Sequence, residues 1–130
     1  MDAPILRVVL QRHSHDCGVA CLAMLCGVSY ENALVAIAQD QPNVCAVGLW
    51  TAEIKKAAKR LGFRLTVKRR IDLETDTGIL NMSSAKWHTD HVVILREGLI
   101  VETDGTLWEP DVFLRHHEAR IGTLLVAEAM

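Results

Sequence analysis

The amino-acid sequence predicts an α+β fold, because its helical segments come first and its antiparallel strands come afterwards. Amphipathic or apolar helical patterns cover residues 17–26, 29–38 and 51–61. Strand patterns cover residues 63–69, 78–82, 91–103 and 121–128, and a further short strand is predicted over residues 5–10. With 130 residues, half of them hydrophobic, the chain is expected to form a single domain over residues 1–130.

The first predicted helix, "CGVACLAMLC", has small or apolar residues on every side, which is typical of a buried central helix. Asp16 stands at the position of an N-cap and Gly27 at that of a C-terminal cap. Ser29 is expected to cap the second helix, and Gly62 to end the third.

The second half of the chain predicts a β-hairpin over residues 91–103 that turns at Glu97 and Gly98. Residues 63–69 alternate apolar and polar side chains, as in a strand with one face exposed to solvent. His116 and His117 are interpreted as part of a solvated turn.

Composition and charge exclude several classes of function. The net charge of −2 gives no electrostatic reason for binding nucleic acid or an anionic membrane surface. The N-terminal residues do not resemble a signal peptide, and no apolar stretch is long enough for membrane insertion. The four cysteines are therefore expected to be free thiols in a reducing compartment, with the cytoplasm as the default location. The sequence does not fix the oligomeric state.

Cys17 is the cysteine best placed to act as a nucleophile. It lies in the first turn of the buried helix, where the helix dipole favours the thiolate form. Cys21 and Cys26 fall deeper in the same helix, where a thiol behaves as a small hydrophobic group. Cys45 lies in a predicted loop and is expected to be inert.

Several motifs together resemble the C39 peptidases and their papain-like relatives. Gln11, five intervening residues and "DCGVACLAML" resemble the opening of that family, and residues 48–65 resemble its next helix. The segment "ILNMSSAKWHTDHVVIL" resembles the family segment that carries the catalytic His, with a Trp four residues before it. The resemblance spans roughly residues 5 to 108 and implies a papain-like fold.

This resemblance implies a role for each matching residue. Cys17 would be the nucleophile, His91 the general base and acid, Asp104 the carboxylate that orients His91, and Gln11 an oxyanion donor. Because an antiparallel hairpin returns the chain to its start, His91 and Asp104 are expected to meet. The family's Asp-Pro is replaced here by Asp104-Gly105, so Asp111 and Asp90 remain alternatives for the third member.

Four further residues are predicted to contribute to substrate binding: Trp87, Asp90, His15 and Trp50. For Trp87 the alternative is a plain core residue, and for His15 it is a solvent-facing side chain. A metal site formed by His13, His15, Cys17 and Cys21 is not favoured, because tetrahedral zinc sites draw ligand pairs from separate elements. No cofactor is expected.

The sequence thus predicts a stand-alone C39-type cysteine peptidase whose partner is a peptide or protein substrate. Cleavage after small residues such as a double glycine is the preference that the exporter-linked relatives imply. Two alternatives stay open: a catalytically silent peptide-binding domain, and a deamidase or transglutaminase-type acyl transferase on the same scaffold.

Overall fold

The computed structural model describes residues 7–130 and combines five helices with six strands. The helices are α1 (Cys17–Cys26), α2 (Tyr30–Ala38), α3 (Val44–Val47), α4 (Thr51–Arg60) and α5 (Pro110–His117). The strands are β1 (Phe63–Lys68), β2 (Gly78–Ser84), β3 (His91–Arg96), β4 (Leu99–Val101), β5 (Leu107–Trp108) and β6 (Ala119–Ala129). The predicted α+β class is confirmed.

The six strands form one antiparallel sheet in the order β1-β6-β2-β3-β4-β5. One face packs against α1, α2 and α4, and the other face packs against α5. Strand β3 is covered on both sides, because Val92 and Ile94 join the helical core while Val93 and Leu95 join the α5 side. This two-sided burial explains why the strand is a continuous apolar run rather than an alternating one.

Helix α1 is the centre of the helical layer, as its composition predicts. Eight of its ten residues are buried, and Gly27 ends it in the left-handed conformation, with φ of 67°. Within residues 7–130 no single helix has the length and apolar character needed to cross a membrane. Helices α1 and α2 meet that test only as a pair, by length and composition, and they are bent by 114° to each other.

Asp16 precedes α1 as predicted, but its side chain does not cap the helix. The fully buried carboxylate instead accepts hydrogen bonds from the backbone N–H groups of Arg12 and His13, each at 3.0 Å, and from the Tyr30 hydroxyl. A buried carboxylate has to be satisfied in this way, since an unpaired one is costly. Asp16 therefore fixes the loop that leads into Cys17.

The β3–β4 hairpin turns at Glu97 and Gly98, as the sequence predicts. Both residues have positive φ, 51° and 79°, which matches the twist that a two-residue hairpin requires. Strand β4 ends at Val101, and the chain then turns back through hydrogen bonds between Glu102, Gly105 and Thr106. The second strand is thus shorter than the sequence suggests, which changes the side chains that meet His91.

Three expectations differ from the structure. Residues 7–10 form no strand, and the rest of that predicted strand lies outside the described residues. The predicted loop before residue 48 contains the short helix α3. The predicted turn at His116 and His117 was wrong, because these residues end α5 and their rings contact Trp108, although His116 is exposed to solvent as predicted.

Gly78 provides a test of the β2–β6 packing. A Cβ atom at this position would lie 2.2 Å from the carbonyl oxygen of Leu125, so the Gly78→Ala variant must displace backbone in the central sheet. We expect a loss of about 3 kcal/mol in unfolding free energy. At Gly27 a Cβ would meet nothing within 4 Å, so Gly27→Ala should cost only about 1 kcal/mol of backbone strain. Urea unfolding monitored by circular dichroism compares the two, and equal losses would contradict this packing.

Candidate active site

The N-terminus of α1 places Cys17 in a cleft of about 750 Å³ between the helical layer and the sheet. One wall comes from the segment between α3 and α4, including Leu49 and Trp50. The opposite wall comes from residues 86–92 and includes Trp87. Cys17, His91 at the start of β3 and Glu102 just after β4 therefore face one cleft that is open to solvent.

His91 connects the thiol to a carboxylate. Its Nε2 lies 2.7 Å from Glu102 Oε1, and its side chain also forms a hydrogen bond with Cys17. Because Nε2–H donates to Glu102, Nδ1 is the ring nitrogen left for the Cys17 sulfur. Cys17, His91 and Glu102 thus form the chain of groups that activates a nucleophile.

The electrostatics of this chain favour a charged imidazole. Burial works against the charge on His91, but hydrogen bonds to Cys17 and Glu102 outweigh it and raise the pKa of His91 to about 10. Burial also raises the pKa of Glu102, but hydrogen bonds from His91 and Thr103 outweigh this effect and lower it overall. The pair is therefore built to hold an imidazolium against a carboxylate.

The structure places Asp104 differently from the sequence-based expectation, in which it orients His91. Asp104 is exposed in the turn after β4, and its Oδ1 accepts hydrogen bonds from the backbone N–H and the hydroxyl of Thr106. Its pKa is lowered because these bonds and the His91 charge outweigh partial burial. The carboxylate that contacts His91 is Glu102, because β4 ends before the register would bring residue 104 opposite His91.

The two alternatives for the third member do not contact His91 through any of the hydrogen bonds or ion pairs found within residues 7–130. Asp111 is exposed in the first turn of α5. Asp90 is also exposed and lines the cleft next to His91 in sequence. Asp90 therefore remains a candidate for substrate contact, as predicted, rather than for orienting the imidazole.

Gln11 contacts Thr103, the residue that follows Glu102, and is not among the described residues that line the cleft. Its backbone N–H donates to the carbonyl of Thr103 at 2.9 Å, and its Oε1 accepts the Thr103 hydroxyl proton. Its Nε2 donates one hydrogen to the carbonyl of His13 at 2.6 Å. The amide group has a second N–H hydrogen that this bond does not use. The oxyanion role of Gln11 stays a prediction, since the structure places its amide against this loop.

Trp87 packs against the ring of His91. The two rings lie 5.4 Å apart in an edge-to-face arrangement, and Trp87 also packs into the apolar cluster on the α5 side of the sheet. Both sequence interpretations of Trp87 therefore apply, because the ring lines the cleft and belongs to the core. His117 of α5 lies 5.7 Å from the Trp87 ring and lines the same cleft, which the sequence did not indicate.

His15 and Trp50 also line the cleft, where the sequence predicts substrate contacts. His15 is exposed and its Nδ1 lies 2.8 Å from the Ser14 hydroxyl. Trp50 is 78% exposed just before α4, held by a hydrogen bond from its N–H to Glu53 at 2.9 Å. An indole this exposed at the mouth of a cleft is available to a ligand.

Cys21 and Cys26 are poor nucleophiles. Burial raises the pKa of Cys21, and the nearby Cys17 and Glu102 charges raise it further. Burial raises the pKa of Cys26 to about 11. Both thiols therefore stay protonated, which makes them unreactive. None of the four cysteines forms a disulfide.

Within residues 7–130, one group of side chains has the spacing of potential metal ligands. Donor atoms of His13, Asp16 and Cys45 lie within 4.8 Å of one another. The Asp16 oxygens already accept three hydrogen bonds, from Arg12, His13 and Tyr30. This group is accounted for as the structural anchor of the loop before Cys17.

The contact between Glu102 and His91 can be tested with two matched carboxylate variants. Glu102→Gln removes the charge beside the imidazolium, so the pKa of His91 should fall by about 1 to 3 units. Asp104→Asn removes an exposed charge that does not contact the ring and should shift the pKa much less. Titration of the His91 ring by NMR measures both, and a larger fall in Asp104→Asn would restore Asp104 as the orienting group.

The raised pKa of His91 also predicts how stability depends on pH. Below about pH 6.5 the imidazole is protonated in both folded and unfolded chains, so its ion pair stabilises the fold fully. As the pH rises from 6.5 to about 10, only the folded state keeps the proton, and this stabilisation is lost. Urea unfolding between pH 6 and 10.5 should show a steeper decline for the wild type than for His91→Gln. Parallel curves would contradict it.

Comparisons with known proteins identify the family and the fold of the chain. The sequence model of the peptidase C39 family matches residues 6–96. The chain is 36% identical over 90 residues to the probable microcin-H47 secretion/processing ATP-binding protein MchF of Escherichia coli, which covers 68% of the chain but only 12% of that relative. The fold resembles a double glycine motif protease from an AMS/PCAT transporter, solved with its leader peptide, with a TM-score of 0.68 and 18% identity over 97% of this chain and 93% of that one. The predicted resemblance is confirmed, and the chain belongs to the peptidase C39 family.

Proposed function

We propose that this peptidase-family chain is a papain-like cysteine peptidase in which Cys17 is the nucleophile and His91 the general base and acid. The single observation that carries the proposal is the hydrogen-bonded series from Cys17 through His91 to Glu102 at the base of an open cleft. Glu102 replaces Asp104 in the role of orienting the imidazole, because its carboxylate accepts the Nε2 proton.

The proposed reaction begins when the Cys17 thiolate attacks the carbonyl carbon of the substrate amide and forms a C–S bond. The carbonyl oxygen becomes an oxyanion, which the Cys17 backbone N–H and the Gln11 amide would stabilise. His91 donates its Nδ1 proton to the amide nitrogen as the C–N bond breaks, and the amine leaves. Water then gives a proton to His91 and attacks the thioester as the C–S bond breaks, which releases the acid and restores the Cys17 thiolate beside the His91 imidazolium.

Glu102 supports these steps without exchanging a proton. Its charge stabilises the imidazolium of the resting state, and its contact with Nε2 keeps Nδ1 directed at the sulfur. The Trp87 ring packs edge-to-face against the same imidazole and would help to hold it in place.

The substrate proposed for this site is a peptide or protein with small residues before the scissile bond, such as a double glycine. The structural neighbour described as a double glycine motif protease, with its leader peptide bound, supports this proposal. The apolar side chains of Leu49, Trp50 and Trp87 on both walls of the cleft suit a peptide chain lying between them. His15 and Asp90 would contact the residues on either side of the cleaved bond.

A catalytically silent peptide-binding domain is disfavoured, since Cys17, His91 and a buried carboxylate are all in contact.

Acyl transfer would use the same nucleophile, base and oxyanion donors as hydrolysis. The two reactions differ only in whether an amine or water attacks the thioester. We also propose that the chain acts in the reducing cytoplasm. This location is consistent with its four free cysteines, because the proposed catalysis requires that Cys17 is not oxidised.

The proposal predicts cleavage by the 130-residue chain without a transporter. A fluorogenic peptide ending in Gly-Gly before the reporter should be cleaved by the wild type, and Cys17→Ala should lose more than about 10³-fold of kcat/KM because the nucleophile is absent. Cys21→Ala is the matched control and should retain activity, since that thiol lies inside the core. Product formed only when a primary amine is added would indicate acyl transfer instead.

Selective alkylation separates an assembled nucleophile from a wrong substrate. A limiting amount of iodoacetamide at about pH 6.5 should label Cys17 first, and this selectivity should disappear in His91→Ala. Peptide mass spectrometry identifies the labelled residue. Labelling that favours Cys45, or that ignores His91, would contradict the activated pair even if a peptide were cleaved.

A further inference from the structure

Thr103 occupies the position between two polar groups of the site that come from distant parts of the chain. Its side chain is buried, with 1% of the residue exposed. Its N–H donates to Glu102 Oε1 at 2.8 Å, and its carbonyl accepts the Gln11 N–H at 2.9 Å. The backbone of Thr103 therefore joins the carboxylate beside His91 to the segment that carries Gln11.

The Thr103 hydroxyl makes the same connection through side chains. Its Oγ1 lies 3.1 Å from Glu102 Oε1 and also donates to Gln11 Oε1. A hydroxyl has one proton, so it can donate to one of these two oxygens at a time. A bond to Glu102 satisfies the buried carboxylate. A bond to Gln11 holds the amide oxygen of that side chain and so directs its amide nitrogen away from Thr103.

Glu102 depends on few partners for its charge. Its Oε1 accepts from His91, from the Thr103 N–H and from the Thr103 hydroxyl. The titratable groups that face it are Cys21 of α1, His91 of β3 and His117 of α5. Within residues 7–130, Thr103 is the only neutral residue that donates hydrogen bonds to the Glu102 carboxylate. Its hydroxyl therefore supplies a substantial part of the solvation that water would give to an exposed carboxylate.

We propose that Thr103 is a positioning residue whose backbone N–H and hydroxyl together hold Glu102 and Gln11 in a fixed arrangement, so that the group orienting His91 and the oxyanion donor form one unit. The catalytic roles of His91 and Gln11 in this statement rest on the proposed function, whereas the contacts of Thr103 do not. Thr103 does not touch the reacting atoms and acts through its two neighbours.

The residue type fits this task. The β-branched side chain of Thr restricts rotation about χ1, so the direction of its hydroxyl is fixed by packing as well as by hydrogen bonds. Serine keeps the hydroxyl and loses the methyl group, and valine keeps the shape and loses the hydroxyl. Thr103→Ser and Thr103→Val therefore separate the polar contribution from the packing one.

Thr106 provides a matched control in the same turn. Its hydroxyl donates to Asp104 Oδ1 at 2.6 Å and accepts from Trp108 Nε1 at 2.8 Å, without contacting Glu102 or Gln11. Thr106→Val thus removes a hydroxyl from the turn and leaves the backbone bond from Glu102 to the Thr106 carbonyl in place. Its effect measures what loss of a hydroxyl does to the turn alone.

The first readout is the protonation of Glu102, followed by NMR of ¹³C-labelled glutamate carboxyl groups in the full chain. Loss of the hydroxyl donor should move the Glu102 midpoint to higher pH by about 0.5 to 1 unit in Thr103→Val. Thr103→Ser should restore the wild-type midpoint, and Thr106→Val should not move it. An unchanged midpoint in Thr103→Val, or an equal shift in Thr106→Val, would overturn the proposal. Thr103→Ala tests the same loss if the valine variant does not fold.

The second readout is kinetic and depends on the proposed function. With the Gly-Gly peptide, Thr103→Val should lose about tenfold in kcat with little change in KM, and Thr103→Ser should recover most of it. A rise in KM at unchanged kcat would overturn a role in orienting catalytic groups. If the wild type cleaves no peptide, the Gly-Gly function fails, while the carboxyl titration still decides whether Thr103 positions Glu102.

Discussion

The structure of the site depends on the ion pair between His91 and Glu102. It forms at the end of a sheet where both side chains are largely removed from water, so each charge would be costly without the other. The 2.7 Å contact uses the Nε2 position, and it leaves Nδ1 as the nitrogen that meets the Cys17 thiol. The ring nitrogen that faces Cys17 is therefore determined by an interaction made on the far side of the imidazole.

The same ion pair explains why several buried polar groups surround it. Thr103 satisfies the carboxylate that is shared with His91, and Gln11 is bonded in turn to Thr103. On the helical side, Asp16 organises the loop that sets where α1 begins. The two arrangements meet at Cys17, which belongs to the helix and hydrogen-bonds to a residue of the sheet.

Much of the fold could be predicted from local signals. The helices α1 and α2 follow apolar patterns with residues such as Gly27 and Ser29 at their ends, and these caps act within a few residues of the chain. Helix α5 has a comparable signal, because Pro110 occupies its first position and basic residues fill its last turn, but its pattern is only eight residues long. Helices this short depend on tertiary packing, here of Phe113 against the sheet.

The candidate site was predictable only where local sequence signals mark its residues. Cys17 and His91 are each marked by their position in a motif, whereas the carboxylate depends on where a strand ends. If β4 continued in register, residue 104 would lie opposite His91, but the chain turns after Val101. The turn is held by long-range contacts such as the bond between Gln11 and Thr103, which no local pattern reveals.

The burial of β3 on both faces has a consequence for motion. A strand that packs against α1 on one side and against the α5 layer on the other can open only when both layers separate, so its amide hydrogens belong to the slowest exchanging part of a fold. His91 begins this strand and is paired there with Met82 of β2, so its backbone is tied directly to that core. A change in the shape of the cleft therefore has to come from its walls, where exposed side chains such as Trp50 are not held by the core.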